Sequence, residues 1–171
     1  ICARQSPQRL RQEKVGNVTI YRLGPGIDFL DKIWLAARGS RKARQLHRQR
    51  PYDLVWAIMA NQAGIAGTLF KRRFSAVPFL LTLQEGDDLN SWAYRLRLLL
   101  PRFFSVFKTA DHIQVISNYL GVWAREMRAR CPITVIPNGV DLDSFQLLGS
   151  SFQDKNKTNK IIITTSRLVK K

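Results

Sequence analysis

Acidic residues, cysteine and histidine are all scarce in this chain, and no long hydrophobic run occurs. Only 12 Asp+Glu stand against 28 Lys+Arg in 171 residues, a formal charge of +16 at pH 7. Cysteine occurs twice, as Cys2 and Cys131, a pair too far apart to read as a redox motif or a zinc site. With so few cysteines a disulfide scaffold is excluded and a reducing compartment is the default. The longest uncharged run, Leu54 to Phe70, contains Asn61, Gln62 and two glycines. It falls short of the ~20 residues a spanning helix needs, so no transmembrane helix is expected. What remains is 45% apolar and 10% aromatic, which excludes disorder and collagen-like repeats. The length fits one domain of roughly 100–200 residues with a real core. The charge excess leaves three readings open: nucleic acid, anionic lipid, or phosphorylated small molecules.

Along the chain, strand and helix signals alternate. Ile1-Cys2-Ala3 reads as the tail of a strand entering a loop, and Asn17 to Tyr21 is a short β-rich run broken by Gly24-Pro25-Gly26. From Asp28 to about Arg50, Leu30, Ile33, Trp34 and Ala37 recur at helical spacing among basic residues. Pro51 ends that helix, because proline disfavours the helical conformation in the residue before it. Asp53 to Met59 is a buried-strand candidate, and Asn61-Gln62 opens a helix to about Phe74. Val77 to Leu83 repeats the strand signal, with Pro78 near its start, where a missing N–H is tolerable. A helical region from about Ser91 to Lys108, bent or split at Pro101, precedes a strand at His112 to Ile116. Ser117 is a natural N-cap for a helix to about Arg130, and Ile133 to Ile136 is followed by the turn signal Pro137-Asn138-Gly139.

The order β-α-β-α-β-α-β-α-β, with strands too apolar to have a wet face, predicts an α/β fold with a parallel sheet and helices on both faces. Residues 149–159 are polar and read as a linker, and the apolar run from Lys160 to Thr165 reads as a fresh strand. The expected organisation is a first domain over 1–148, the linker over 149–159, and the start of a second domain over 160–171. The chain accordingly reads as a fragment of a longer protein.

In open α/β sheets, ligands bind outside the carboxyl ends of the strands. There this sequence places Asn61 and Gln62, then Gln84, Glu85, Asp87 and Asp88, then Ser117 and Asn118, then Asn138-Gly139. Loops and caps are polar in any protein, but three carboxylates within four positions repel one another unless something is bound or solvated beside them. Ser117 puts backbone N–H groups at a helix N-terminus suited to an anion or hydroxyl. Gln84, Glu85, Asp87, Ser117, Asn118 and Asn138 are therefore the candidate ligand contacts.

Residues 110–145, ADHIQVISNYLGVWAREMRARCPITVIPNGVDLDSF, carry a resemblance. They resemble the end of the N-terminal domain in retaining, nucleotide-sugar-dependent glycosyltransferases of the GT-B fold, the family 4-like group of glycogen synthases and mannosyltransferases. Ile136 to Asp141 and Phe145 match the family's I-P-N-G-V-D-x-x-x-F. Tyr52 to Leu83 resembles the preceding strand-helix-strand, and Thr165-Ser166-Arg167-Leu168 resembles the opening of the second domain. The resemblance implies two Rossmann-like domains, with acceptor bound mainly by the first and the nucleoside diphosphate sugar mainly by the second. It implies that Arg167, and Lys171 a few positions on, hold the donor phosphates, fixed positive charge doing the work a metal would otherwise do. No metal and no cofactor is implied. Two departures accompany the match: the family's first strand and glycine-rich loop would lie before Ile1, and Gln84 stands where histidine is common. Glutamine can hydrogen-bond a sugar hydroxyl but cannot carry a proton, so the catalytic residues are left unassigned.

Residues 1–50 hold 12 Lys+Arg and 3 acids, a net +9, with Arg38, Arg41, Lys42, Arg44, Arg48 and Arg50 crowded on one helix. Solvated helix faces explain such charge, as does contact with an anionic membrane, toward which each basic residue near the surface adds roughly 1 kcal/mol. Peripheral attachment is common in the glycosyltransferase group, which implies a cytoplasmic protein at the inner face of a membrane. No zinc spacing, RNP-like motif or recognition helix accompanies the charge, so nucleic acid is not the expected partner. A non-catalytic basic α/β module for membrane or nucleic acid remains the alternative to a transferase. His112 reads as structural, His47 as solvated, and Cys131 as a small loop residue.

Overall fold

The buried apolar residues of the strands in the middle of this chain are odd-numbered, and that parity decides how its layers form. A computed structural model describes residues 1–84 and 100–141, with the backbone alone at 28, 29, 32, 33, 100 and 101. Four strands, β4 (Val55–Ile58), β5 (Phe79–Leu83), β6 (His112–Val115) and β7 (Ile133–Val135), form a parallel sheet in the order β4-β5-β6-β7. The connections between them carry α2 (Gln62–Lys71), α3 (Leu100–Thr109) and α4 (Asn118–Glu126). Phe79, Leu81, Leu83, Ile113 and Val115 have no exposed surface and meet Phe103, Phe107, Leu120 and Trp123 of the helices. Burying each such side chain contributes about 1.5–3 kcal/mol. The fold is thus α/β, a Rossmann-like parallel sheet flanked by helices.

Helix α2 lies close to the sheet because its glycines permit it. A Cβ on Gly67 would stand 2.7 Å from the Phe79 ring, and one on Gly64 would stand 2.9 Å from Val106. On the even-numbered face, Trp56 and Ile58 are 59% and 46% exposed, so the expectation of no wet face fails at β4. Polar groups link the strands there. Trp56 Nε1 donates to Thr82 Oγ1 at 2.9 Å, and Thr82 Oγ1 donates to Gln114 Oε1 at 3.1 Å. His112 Nε2 lies 2.9 Å from Thr134 Oγ1, the structural role its sequence position suggested.

The first part of the chain forms a second sheet, ordered β1-β3-β2, of β1 (Cys2–Ala3), β2 (Gln12–Val15) and β3 (Val18–Leu23). β1 runs parallel to β3 in a sheet separate from the four-stranded one, where the sequence suggested a single parallel sheet, and β2 was not anticipated. It pairs antiparallel with β3, Val15 opposite Val18, so Gly16 (φ 55°) and Asn17 make a two-residue hairpin turn. Helix α1 (Asp28–Gln49) follows and packs on α2, where Gly39 meets Ala66. Its fourth residue, Asp31, is fully buried and accepts the backbone N–H of Gln5 at 3.0 Å and of Gly26 at 3.0 Å. That carboxylate fills the space a Cβ on Gly24 would need and holds the Gly24-Pro25-Gly26 turn against the loop after β1. At the other end of α1, His47 is half-buried against aromatic rings, where the sequence suggested a solvated side chain. Its Nδ1 accepts the Tyr52 N–H at 3.1 Å, and its ring lies 4.5 Å from Phe74 and 5.3 Å from Phe70.

Residues Ile1–Asn138 gather into one compact unit. The expected linker at 149–159, the strand and second domain from 160, and the helical stretch at 91–99 lie outside the described residues.

One ion pair closes the amino edge of the parallel sheet. Asp111, before β6, accepts the Phe79 N–H at 2.6 Å and meets Lys71 Nζ at 2.8 Å; the same ammonium donates to the Ser75 and Val77 carbonyls. Asp111→Ala leaves a buried amide without its acceptor and removes the ammonium's anion, a loss of about 1–3 kcal/mol. Denaturant unfolding checks this as a lower midpoint at unchanged slope; a loss under about 0.5 kcal/mol, within the range of ordinary surface changes, would show that the pair is not a clamp.

Candidate functional site

The carboxyl ends of β4 to β7 fall on one edge of the sheet, and each is followed within three residues by a polar one. After β4, Met59 adopts left-handed backbone (φ 70°), a conformation costing on the order of 1–3 kcal/mol in a residue with a side chain. Its N–H is anchored to the Thr82 carbonyl at 2.7 Å. The turn sets Asn61 as N-cap of α2, its Oδ1 accepting the Ala63 N–H at 2.8 Å. Asn61 and Gln62 also border a cavity of about 610 Å³ that runs between β1 and β4, along Cys2, Trp56 and Ile58.

After β5 comes Gln84, and after β7 comes Asn138, 54 residues away. The Gln84 amide Nε2 donates to Asn138 Oδ1 at 3.4 Å, reaching past the end of β6. Two candidates chosen only for standing after strands are thereby brought together, and both are exposed. After β6, Ser117 caps α4, its Oγ accepting the Leu120 N–H at 3.3 Å. Its lone pair serves the helix, while its O–H proton is left to donate outward. Asn118, the first residue of α4, is exposed. Glu85, Asp87, Arg167 and Lys171 lie outside the described residues, as does Phe145 of the Pro-Asn-Gly motif.

The edge offers amide and hydroxyl groups with no described carboxylate or histidine among them. Such groups recognise hydroxyls by paired donation and acceptance, which is the chemistry of carbohydrate contact. Among the described residues no group of three or more His, Cys, Asp or Glu could hold a metal ion. The family model for Glycosyltransferase Family 4 matches residues 1–144. The chain belongs to Glycosyltransferase Family 4. Comparison with curated proteins and with solved structures yields no match. As a glycosyltransferase domain it has sugar donors and acceptors as its general partners, and the strand-end edge is where its fold places ligands.

Sequence reasoning passed over the Met59 turn, which no residue type announces, and the row Thr82, Gln114 and Thr134, which lies side by side across β5, β6 and β7. Spacing holds the signal for that row: each is the polar residue among apolar neighbours of its strand.

The two thiols differ in surroundings. Burial pushes the Cys131 thiol above its ordinary pKa, keeping it protonated, whereas Cys2 is exposed. Thiolate is the nucleophile. Iodoacetamide at neutral pH is therefore expected to alkylate Cys2 ahead of Cys131, with mass spectrometry of tryptic peptides as the readout; equal rates would contradict the burial assigned to Cys131.

Proposed function

We propose that the chain is the acceptor-side, N-terminal half of a retaining GT-B enzyme of the glycogen synthase and mannosyltransferase group. It moves a hexosyl group from a nucleoside diphosphate sugar to a lipid-linked or polysaccharide acceptor, in the building of cell-envelope polysaccharide. The single observation supporting this reading best is the Gln84–Asn138 contact at the strand ends of a family member. With one Gln84 N–H spent on Asn138, the second Gln84 N–H, the Gln84 carbonyl oxygen and the Asn138 amide N–H groups are left side by side, donors and an acceptor of the kind that suit a hydroxyl that both donates and accepts.

On this reading Gln84, Ser117, Asn118 and Asn138, together with Glu85 and Asp87, orient the acceptor. Arg167 and Lys171 carry the donor diphosphate in the second domain, which neutralises the leaving group without a metal. Gln84 orients and does not shuttle protons, since an amide neither gains nor loses one near neutrality. Most donor-binding groups belong to the second domain, and the 171-residue chain by itself is inactive. The excess of cations on α1 supports a place on the cytoplasmic face of an anionic membrane, where α1 would lie without inserting. No described helix is long and apolar enough to cross one.

Kinetics of the full-length enzyme that carries this domain, with a panel of nucleoside diphosphate hexoses, test the site. Gln84→Ala and Asn138→Ala are each expected to raise the acceptor KM about tenfold, the loss of one to two hydrogen bonds, at unchanged donor KM. An unchanged acceptor KM, or turnover by the purified 171-residue chain, would refute the assignment. Membrane contact has its own readout. The chain is expected to sediment with vesicles containing phosphatidylglycerol and not with phosphatidylcholine alone, less so as salt rises; binding indifferent to salt would sink that part.

A further inference from the structure

Most cations with a described partner are committed to holding the chain together. Arg4 donates to the carbonyls of Arg9, Pro7 and Pro25, Lys71 to Asp111, and Arg125 to the carbonyls of Ala129 and Cys131. Arg11, Arg38 and Lys42 are placed differently. They line a cavity of about 450 Å³ between the β2–β3 hairpin, the turn after β3 and helix α1. A fourth cation of the lining, Arg22, is held 2.7 Å from Glu13, and that hydrogen bond keeps the Glu13 carboxyl below its usual pKa range.

The walls are aromatic. The Arg38 guanidinium carbon lies 3.6 Å over the Trp34 ring, and Lys42 Nζ lies 4.6 Å over Tyr21. A stacked guanidinium is fixed by its flat face, and its N–H edge stays available in its own plane, the edge that grips phosphate in a fork. Among the described residues no carboxylate pairs with Arg11, Arg38 or Lys42; the Lys42 ammonium reaches only the Gln45 amide oxygen, at 3.4 Å. Three like charges round one concavity repel each other, and an anion seated among them adds an attraction to each cation that offsets this repulsion. The volume lies in the range of small-molecule sites. The other basic cleft, along Arg41, Arg44 and Arg48, lies on α1 alone and has no aromatic wall and no second element.

We propose that the pocket between the hairpin and α1 binds a phosphate-bearing group, held by Arg11, Arg38 and Lys42 against Trp34 and Tyr21. The site goes beyond the transferase reading and does not rest on it. It belongs to the three-stranded sheet, whereas the strand-end residues belong to the four-stranded one.

Inorganic pyrophosphate, titrated calorimetrically into the 171-residue chain, is the probe. Saturable binding is expected, weakened at least tenfold in Arg38→Gln/Lys42→Gln and less than twofold in Arg41→Gln/Arg48→Gln, which removes the same charge from the same helix. Equal weakening in both variants would mean bulk charge and no site, and absence of saturable binding would equally overturn the proposal. Arg11→Gln, an exposed single change, serves if the double variant loses its helical circular dichroism; binding undiminished by Arg11→Gln would then overturn it. Vesicles of phosphatidylcholine with phosphatidylglycerol separate the sources. If the pocket variant loses sedimentation beyond the loss in Arg41→Gln/Arg48→Gln, the phosphate is a lipid headgroup; if the two fall alike while pyrophosphate binding still discriminates them, it is a soluble phosphate.

Discussion

The close approach of α2 to β5, through Gly67 against the Phe79 ring, is the constraint on which the parallel sheet depends. Phe79 has no exposed surface, and its backbone N–H and carbonyl are both fixed by Asp111, the first through the carboxylate and the second through the backbone amide. One residue thus ties the start of β5 to the start of β6, and its ion pair with Lys71 adds the end of α2. With the amino edge fixed in this way, the register Leu80 opposite His112 and Thr82 opposite Gln114 follows, and with it the position of every carboxyl end. A one-residue slip would move Phe79, Leu81 and Leu83 from the core face to the opposite face, so alternatives are strongly disfavoured. The placement of Gln84 beside Asn138 is the far-end consequence of packing at the near end.

Much of this was legible in the sequence because strong signals coincided. Pro51 and the helix-opening Asn61 and Ser117 are punctuation with a direct steric or hydrogen-bonding cause, and the apolar runs of β4 to β7 leave few alternatives to a buried parallel sheet. The hairpin was harder. Gln12 to Val15 has one apolar residue in four, so periodicity says nothing, although Gly16-Asn17 between two short runs is a two-residue turn signal. Asp31 and His47 were illegible for a different reason. Each is a polar residue on a basic helix, which reads as solvent-facing, and each is buried or half-buried by partners outside that helix: Gln5 and Gly26 for one, Phe70 and Phe74 for the other.

The candidate site divides along the same line. Residues that follow strands were identified because topology alone puts them on one edge. The left-handed turn at Met59 and the cross-strand row Trp56, Thr82 and Gln114 depend on what neighbouring strands present, which one strand's composition does not reveal. Family membership agrees with the edge and adds the chemistry that residue types leave open, because amides and hydroxyls recognise many polar ligands.

Net charge shows most clearly how position matters more than number. A +16 chain suggests a uniform cationic surface, yet its cations fall into physically distinct classes. Arg4 and Arg125 act as multiple hydrogen-bond donors to loop carbonyls, so their guanidinium N–H groups are spent within the chain. Lys71 and Arg22 are paired with carboxylates that offset them locally. Arg38 and Lys42 lie against aromatic faces, where the ring quadrupole favours the cation but does not satisfy its donors. This last class retains both charge and directed donors, and in the hairpin pocket it converges from more than one element. A single helix face moves with its side chains and attracts anions without selecting among them, whereas a concavity built by a hairpin, a turn and a helix holds its donors at fixed mutual positions. That difference, preorganisation in place of mere charge, is what separates a binding site from a basic surface.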